Sequence, residues 1–151
     1  MIIYKRTDSR DENFKILVNA LDNELADRDG ADHSFYALFN KIDTIKHVIV
    51  AYENNIAVGC GAIKQFSPDT MEVKRMYVRP DKRGKGIASA VLHQLENWSK
   101  ELNCTRCILE TGKRQPEAIA LYTKNEYNII PNYGQYTGVH NSVCFEKKLI
   151  K

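Results

Sequence analysis

The sequence predicts a mixed α+β fold, with a mostly antiparallel, twisted sheet of about seven strands flanked by about four helices. Two patterns in the order of elements lead to this prediction: hairpins come first, and a strand–helix–strand unit follows. Apolar residues recur at spacings of three and four in the predicted helices and form short runs or alternate in the predicted strands. The length of 151 residues suits one domain, so we expect residues 1–151 to fold as a single unit.

The first half of the chain supplies four of the strands and two of the helices. Strands are predicted at 2–7, 47–52, 56–66 and 71–78, with turns at 53–55 and 67–69. Helical spacing over 14–25 predicts the first helix, which Gly30 ends. A second, shorter helix is predicted over 35–42.

The second half begins where Pro80 breaks the strand that ends at Val78. A helix opens near Gly84, and its apolar stripe consists of Ile87, Val91, Leu95, Trp98 and Leu102. A short strand at 107–110 follows, and Pro116 suits the first position of another helix because its missing N–H costs nothing there. The last strands are predicted at 127–130 and 142–149.

Composition excludes several classes of protein. The net charge of +3 is too small to indicate nucleic-acid binding by itself. No apolar run approaches the ~20 residues of a membrane span, and the first residues lack a signal peptide, so we expect no membrane association and a cytoplasmic location. The four cysteines are expected to be reduced thiols. Cys104 and Cys107 form a C-x-x-C pair, but no second pair stands at zinc-like spacing, so no metal site is expected.

The loop at 78–88 carries the strongest local pattern. Glycines allow the backbone to approach a bulky anion, and the start of a helix offers unpaired N–H donors, so the loop suits a pyrophosphate. Arg83 and Lys85 add positive charge. A nucleotide P-loop is excluded because Ile87 and Ala88 follow Gly86, and a dinucleotide fingerprint because Ser89 stands where glycine is required. A solvated basic turn is the structural alternative.

The segment Arg83-Gly84-Lys85-Gly86-Ile87-Ala88 resembles the R/Q-x-x-G-x-G/A signature of the Gcn5-related N-acetyltransferase (GNAT) superfamily. Residues 72–78, 109–112 and 118–122 resemble that family's central strand, its next strand and its tyrosine-bearing helix. Gln115 stands where the family often has Asn. Glu126 stands where a Gly commonly ends the helix, with Asn125 beside it able to take a left-handed turn.

The resemblance implies an acyl-CoA N-acyltransferase fold and acetyl-CoA as the acyl donor. The residues that it implies for binding this donor are Met76, Tyr77, Val78, Arg83, Gly84, Lys85, Gly86, Ile87, Ala88, Ser89 and Gln115.

The resemblance also implies direct transfer within a ternary complex. Tyr122 holds the general-acid position and would protonate the leaving thiolate; the alternative is a core aromatic. Glu72 is the first candidate for the base that deprotonates the amine, and Glu110 is the second; each has a structural carboxylate as its alternative. A backbone N–H, that of Met76 first, would stabilise the oxyanion.

The acceptor is expected to be the primary amine of a small molecule: an amino acid, a polyamine or another metabolite. The N-terminal amine or a lysine of a protein is the alternative acceptor. An acidic stretch would attract such a cation, or it is a solvated helix face. Its members are Asp22, Glu24, Asp27, Asp29 and Asp32. A loop over 132–138 is the expected lid, and His33 and Tyr36 are weaker pocket candidates.

Two other functions were weighed. A non-catalytic acyl-CoA-binding or sensing module would keep the fold and lack the chemistry. A nucleic-acid-binding protein would use Lys82, Arg83 and Lys85, but these lack interleaved aromatic platforms. A homodimer is expected from the family resemblance.

Overall fold

A computed structural model of the chain describes residues 1–29, apart from the side chain of Asp29, and residues 44–149. The elements in chain order are β1 Ile2–Thr7, α1 Glu12–Asp29, β2 His47–Glu53, β3 Ile56–Ser67, β4 Thr70–Val78, α2 Ile87–Glu101, β5 Arg106–Gly112, α3 Pro116–Lys124, β6 Asn128–Ile130 and β7 Ser142–Lys148. Short 3-10 turns lie at Pro80–Lys82 and Gly134–Tyr136.

The seven predicted strands are confirmed. The described residues hold three α-helices where about four were predicted for the whole chain, and the second predicted helix, 35–42, lies outside them, as does Gly30. The largest error in a strand is β5, which extends to Gly112 rather than 110. The helix predicted to open near Gly84 begins at Ile87, because Gly86 takes a left-handed φ of 81° as its N-cap. No helix in the described part of the chain is long and apolar enough to cross a membrane.

The strands form one sheet in the order β1-β2-β3-β4-β5-β7-β6. Its pairs are antiparallel except for β4 and β5, which pair in parallel only through residues 70–72 and 106–108. Beyond these residues β4 continues beside β3, and β5 continues beside β7. The two central strands therefore part, and the sheet opens as a wedge at their C-terminal ends.

Each face of the sheet has its own core. On one face α2 buries Val91, Leu92 and Leu95 completely, together with Val73 and other residues of the sheet. On the other face α1 buries a second cluster, whose members include Phe14, Leu17, Val18, Cys60 and Tyr77. Burial of each large aliphatic side chain contributes about 1.5–3 kcal/mol, so helices on both faces hold the sheet.

A β-bulge lies in β4 beyond the point where β4 and β5 part. Cys60 pairs with Tyr77 and Ala62 pairs with Lys74, which leaves Arg75 and Met76 opposite Gly61. Arg75 takes a left-handed φ of 60°, and the strand bends there.

The end of α3 differs from the sequence-based expectation. Asn125 keeps a φ of −93°, and Glu126 takes the left-handed conformation with a φ of 72°. The side-chain amide of Asn125 instead donates to the Ser89 hydroxyl at 3.1 Å and to the Leu121 carbonyl at 2.9 Å. The helix then closes with a bond from the Tyr127 N–H to the Tyr122 carbonyl at 3.0 Å.

Candidate active site

Two neighbouring cavities lie where β4 and β5 part. The loop cavity, of about 330 Å³, lies between the end of β4, the 79–86 loop, the first turn of α2 and helix α3. The strand cavity, of about 100 Å³, is bounded by residues 72–76 of β4, residues 110–112 of β5, α1 and α3. Both are lined by Leu21, Met76, Gln115, Ala118 and Tyr122, so they meet along one shared wall.

Nearly all of the residues predicted to bind the acyl donor line the loop cavity: Met76, Tyr77, Val78, Arg83, Gly84, Gly86, Ile87, Ala88, Ser89 and Gln115. Lys85 is exposed in the same loop and is not among the lining residues.

The loop presents bare backbone to the cavity. Gly84 and Gly86 both have a φ of 81°, and a Cβ on either would meet nothing within 4 Å. Among the described residues, no side chain caps the start of α2. The first intrahelical bond, from Ala90 to the Gly86 carbonyl, leaves the earlier amides of that turn free of helical partners. Amide donors and the helix dipole therefore favour an anion here.

Arg83 and Lys82 hold the loop in place rather than reaching freely into the cavity. Arg83 donates from Nε to the Val78 carbonyl at 2.9 Å and from Nη2 to Glu24 at 2.8 Å. Lys82 donates to Glu53 at 2.6 Å. The positive charge that the sequence placed in this loop is thus partly balanced by carboxylates, and the backbone amides become the principal anion donors.

A bidentate ion pair links α1 to α3 beside the loop cavity. Arg28 donates to both carboxylate oxygens of Glu117, at 2.8 and 3.1 Å. Arg28 also lies 4.0 Å from Glu24, so the contacts continue to Arg83. All four residues line the loop cavity, and together they form a chain of charges across one side of it.

The strand cavity brings together the three residues predicted to be catalytic. Glu72 and Glu110 line it, and Tyr122 lines it from α3. Because Tyr122 also lines the loop cavity, its hydroxyl-bearing ring stands between the two spaces.

Tyr122 is fixed by aromatic packing. Its ring makes a T-shaped contact with Tyr127, at 5.8 Å between centroids, and a tilted one with Phe145 at 5.9 Å. The side chain is 6% exposed. Burial, and then the charge of Glu110, raises the pKa of the Tyr122 phenol, so the group remains a proton donor across the neutral pH range. This packing also fits the core-aromatic alternative, and the residue lies where the two cavities meet.

Glu72 is held by the loop that was expected to act as a lid. The Tyr133 hydroxyl donates to Glu72 at 2.6 Å, and the Lys74 ammonium lies 3.7 Å from the other oxygen. Burial, and then the charge of Glu72, raises the pKa of Tyr133, so Tyr133 keeps its proton in this bond. In the same loop Tyr136 is 2% exposed and lines the strand cavity.

Glu110 accepts a hydrogen bond from the Ser142 hydroxyl at 2.7 Å. It lies on β5, across the wedge from Glu72 on β4. The two carboxylates and the Tyr122 phenol therefore border one small space.

Arg75 lines the strand cavity, and the sequence reasoning gave it no role beyond that of one residue in the 71–77 stretch expected to line the acceptor pocket. Its side chain is 2% exposed, and Nη1 donates to Asp22 on α1 at 2.7 Å. Its Nε and Nη2 are buried and have no hydrogen-bond partner among the described residues. The sequence around Arg75 does not indicate that its side chain is buried, because the bulge that directs Arg75 inward depends on how β3 and β4 pair.

Two carboxylates in the acidic stretch of α1 pair with cations of the chain itself. Asp22 pairs with Arg75, and Glu24 pairs with Arg83. Asp32 lies outside the described residues, as do the weaker pocket candidates His33 and Tyr36. A freely available acidic rim is therefore the wrong picture for Asp22 and Glu24.

The four cysteines are buried and not disulfide-bonded. Burial raises the pKa of Cys60 to about 12 and that of Cys107 to about 11, so both are protonated and unreactive at neutral pH. Within residues 1–29 and 44–149, no group of His, Cys, Asp and Glu side chains could hold a metal ion.

A wedge between two central strands, with a glycine-bearing loop at one cavity and two carboxylates at the next, defines a class of group-transfer enzyme. Comparison with known proteins identifies that class. The model of the acetyltransferase (GNAT) family matches residues 14–127. The chain belongs to this family.

Individual relatives agree with that assignment. The chain is 36% identical over 102 residues to an IAA acetyltransferase of Azospirillum brasilense, covering 67% of each protein. It superposes on a crystal structure from Klebsiella pneumoniae, of a protein named there as an inferred acyl-CoA N-acyltransferase, with a TM-score of 0.84, 30% identity and 99% of each chain covered. It shares the fold of YncA from Salmonella typhimurium, solved with its cofactor acetyl-CoA (TM-score 0.70, 13% identity, 100% of this chain and 95% of that one).

Proposed function

We propose that the protein transfers an acetyl group from acetyl-CoA to the primary amine of a small molecule, by direct attack within a ternary complex. The observation that carries this proposal is the position of Tyr122. It lines a cavity that suits a phosphate-bearing donor and also a cavity that holds two carboxylates.

The loop cavity fits the donor. Amides at the start of α2 would hold the diphosphate, and the open face of Gly84 and Gly86 lets that group come close to the backbone. The strand edge of β4 at Met76 and Val78, where β5 has moved away, would pair with the amides of the pantetheine arm. YncA, which has this fold, was solved with acetyl-CoA.

Glu72 would accept the proton that the incoming ammonium must lose, directly or through a water molecule, with Glu110 as the second candidate. The amine nitrogen then forms its bond to the thioester carbonyl carbon, and the second proton that the nitrogen must lose passes to solvent as the tetrahedral adduct collapses to the amide. The backbone N–H of Met76 would donate to the carbonyl oxygen as negative charge develops there.

Tyr122 would act as the C–S bond breaks. Its hydroxyl donates a hydrogen bond to the leaving sulfur and, on complete transfer, its proton, which gives the free CoA thiol. Burial and Glu110 disfavour the phenolate, so Tyr122 regains a proton from solvent before the next cycle.

The test is a library of primary amines assayed with acetyl-CoA by the release of free thiol, with Tyr122→Phe beside the unchanged protein. Phenylalanine keeps the ring packing on Tyr127 and Phe145, so folding and acetyl-CoA affinity are expected to stay within about twofold. Loss of general-acid assistance lowers turnover by roughly 10²–10⁴-fold.

Tyr127→Phe is the matched control. It also removes a buried phenol hydroxyl, one that donates to Glu96 at 2.9 Å and lines neither cavity. At temperatures below the melting temperature of this variant, its turnover is expected to stay near that of the unchanged protein. Equal turnover in Tyr122→Phe and the parent would refute the acid role. Acetyl-CoA binding without turnover of any amine would instead favour the non-catalytic binding module.

The remaining sequence-based expectations accompany this proposal: one catalytic domain over residues 1–151, a cytoplasmic location and a homodimer. The first is tested by limited proteolysis, and the last by sedimentation of the purified protein.

A further inference from the structure

We infer that the acceptor carries a carboxylate close to its amine, and that Arg75 binds that carboxylate. This inference rests on the proposed function, since it names the class of amine for the same site. It follows from three features of Arg75: the face of the sheet on which it lies, the edge of its guanidinium that is unpaired, and the charges around the strand cavity.

Arg75 lies on the same face of β4 as the candidate base. Met71 and Val73 pack in the core under α2, and Tyr77 packs in the cluster under α1. Side chains alternate along a strand, so Glu72 faces α1. Arg75 joins this face because the bulge inserts one extra residue, and its contact with Asp22 on α1 fixes the direction.

The unpaired donors of Arg75 form a matched pair. Nη1 donates to Asp22 at 2.7 Å, whereas Nε and Nη2 are buried and find no partner in residues 1–29 and 44–149. Nε–H and Nη2–H lie on one edge of the planar guanidinium and point in parallel. That edge fits the two oxygens of a carboxylate. Buried donors without partners are uncommon in folded proteins, and a carboxylate of the ligand would satisfy both of these donors at once.

The cavity offers both signs of charge. Arg75 and Glu72 lie on the wall that β4 forms, and Glu110 lies on the facing wall that β5 forms. An amine that also bears a carboxylate would place its nitrogen toward the carboxylates and its own carboxylate toward Arg75. A polyamine would leave the Arg75 edge unpaired and add a cation beside it. With a volume of about 100 Å³, the cavity suits a small zwitterion rather than a long peptide.

The experiment compares each of the twenty L-amino acids with its own carboxamide as acceptor for acetyl-CoA. The two members of a pair have nearly the same size, and only one carries the negative charge. We expect the unchanged protein to prefer the carboxylate form of its best acceptor by at least about 100-fold in kcat/KM, since a site built to bind a polar group rejects analogues that lack it.

Arg75→Gln should remove this preference selectively. The carboxylate form is expected to lose about the same factor, and the carboxamide to stay within a fewfold of its rate with the parent. Arg75→Lys should restore part of the preference, because it returns the charge without the two-pronged edge. Arg106→Gln is the matched control: this arginine pairs with Glu146 at 3.0 Å on the other end of β5, and its loss should leave the ratio unchanged.

Several outcomes would overturn the inference. Equal rates for the two forms in the unchanged protein do so without any variant, even if Arg75→Gln does not fold. An equal loss for both forms in a folded Arg75→Gln would assign Arg75 a structural role only. If amines without a carboxylate are the good acceptors, this inference is wrong while the proposed function stands. If no amine is acetylated, both are wrong.

Discussion

Gly61→Ala tests how tightly the bulge is packed against α2. A Cβ at Gly61 would lie 2.5 Å from the Met76 sulfur and 2.9 Å from both Leu95 Cδ1 and Val91 Cγ1. These distances are below any normal carbon contact, so at least three side chains must move. Overpacking of a core typically costs about 1–3 kcal/mol, and the lower entropy of the unfolded alanine chain offsets about 0.4–1 kcal/mol.

The net expectation is a loss of about 1–2 kcal/mol in the free energy of unfolding, or roughly 2–8 °C in Tm for a chain of this length. Urea unfolding with an unchanged m-value measures it. Because Met76 lines both cavities, acetyl-CoA affinity should fall as well.

Gly112→Ala is the control for this prediction. Its Cβ would lie 3.3 Å from the Asn141 side-chain amide and 3.4 Å from that of Gln115, two side-chain ends that can move. Its stability should stay close to that of the parent. If Gly61→Ala proved as stable as Gly112→Ala, the packing of Met76 against α2 would be looser than the distances indicate.

Two further predictions concern buried groups. Lys147→Met removes the ammonium at 2.9 Å from Glu96, which is 6% exposed, and leaves the Tyr127 hydroxyl as its one partner within the described residues. Stability should fall by about 3–5 kcal/mol in thermal unfolding, and an additional Glu96→Leu should recover much of it. The Cys60 thiol has a pKa raised by burial to about 12, so above the unfolded value of about 8.5 the unfolded chain releases a proton that the folded chain keeps. Stability should therefore decline by about 1.4 kcal/mol per pH unit from roughly pH 9 to pH 12 on account of this thiol, and Cys60→Ala should show a shallower decline over the same range.

The fold was largely predictable because its determinants are local. Apolar spacing located the strands and α2, and Pro80, Pro116 and the loop glycines located the breaks. Ends that depend on tertiary contacts were less predictable. The left-handed residue after α3 is Glu126 rather than Asn125 because the Asn125 side chain is bound to Ser89 on another helix.

In the candidate site too, the features with local sequence determinants were predictable, and those that depend on tertiary contacts were not. The loop residues and Tyr122 stand in a recognisable order along the chain, and the structure places them around adjoining cavities. The inward direction of the Arg75 side chain could not be predicted from sequence, since it depends on the register between β3 and β4. The pairing of Arg83 with Glu24 joins residues far apart in the chain, so the charge balance of the loop was also beyond local reasoning.

The short parallel pairing of β4 with β5 has a mechanical consequence. In the described part of the chain, the N-terminal and C-terminal halves of the sheet pair directly through only three residues on each strand. A donor whose amides lie against the free edge of β4 would fill the space between β4 and β5 where the two strands have parted. Binding of the donor would then make the two halves of the sheet more rigid with respect to each other. Amide hydrogen exchange along 73–78 and 109–112 would slow when the donor is bound.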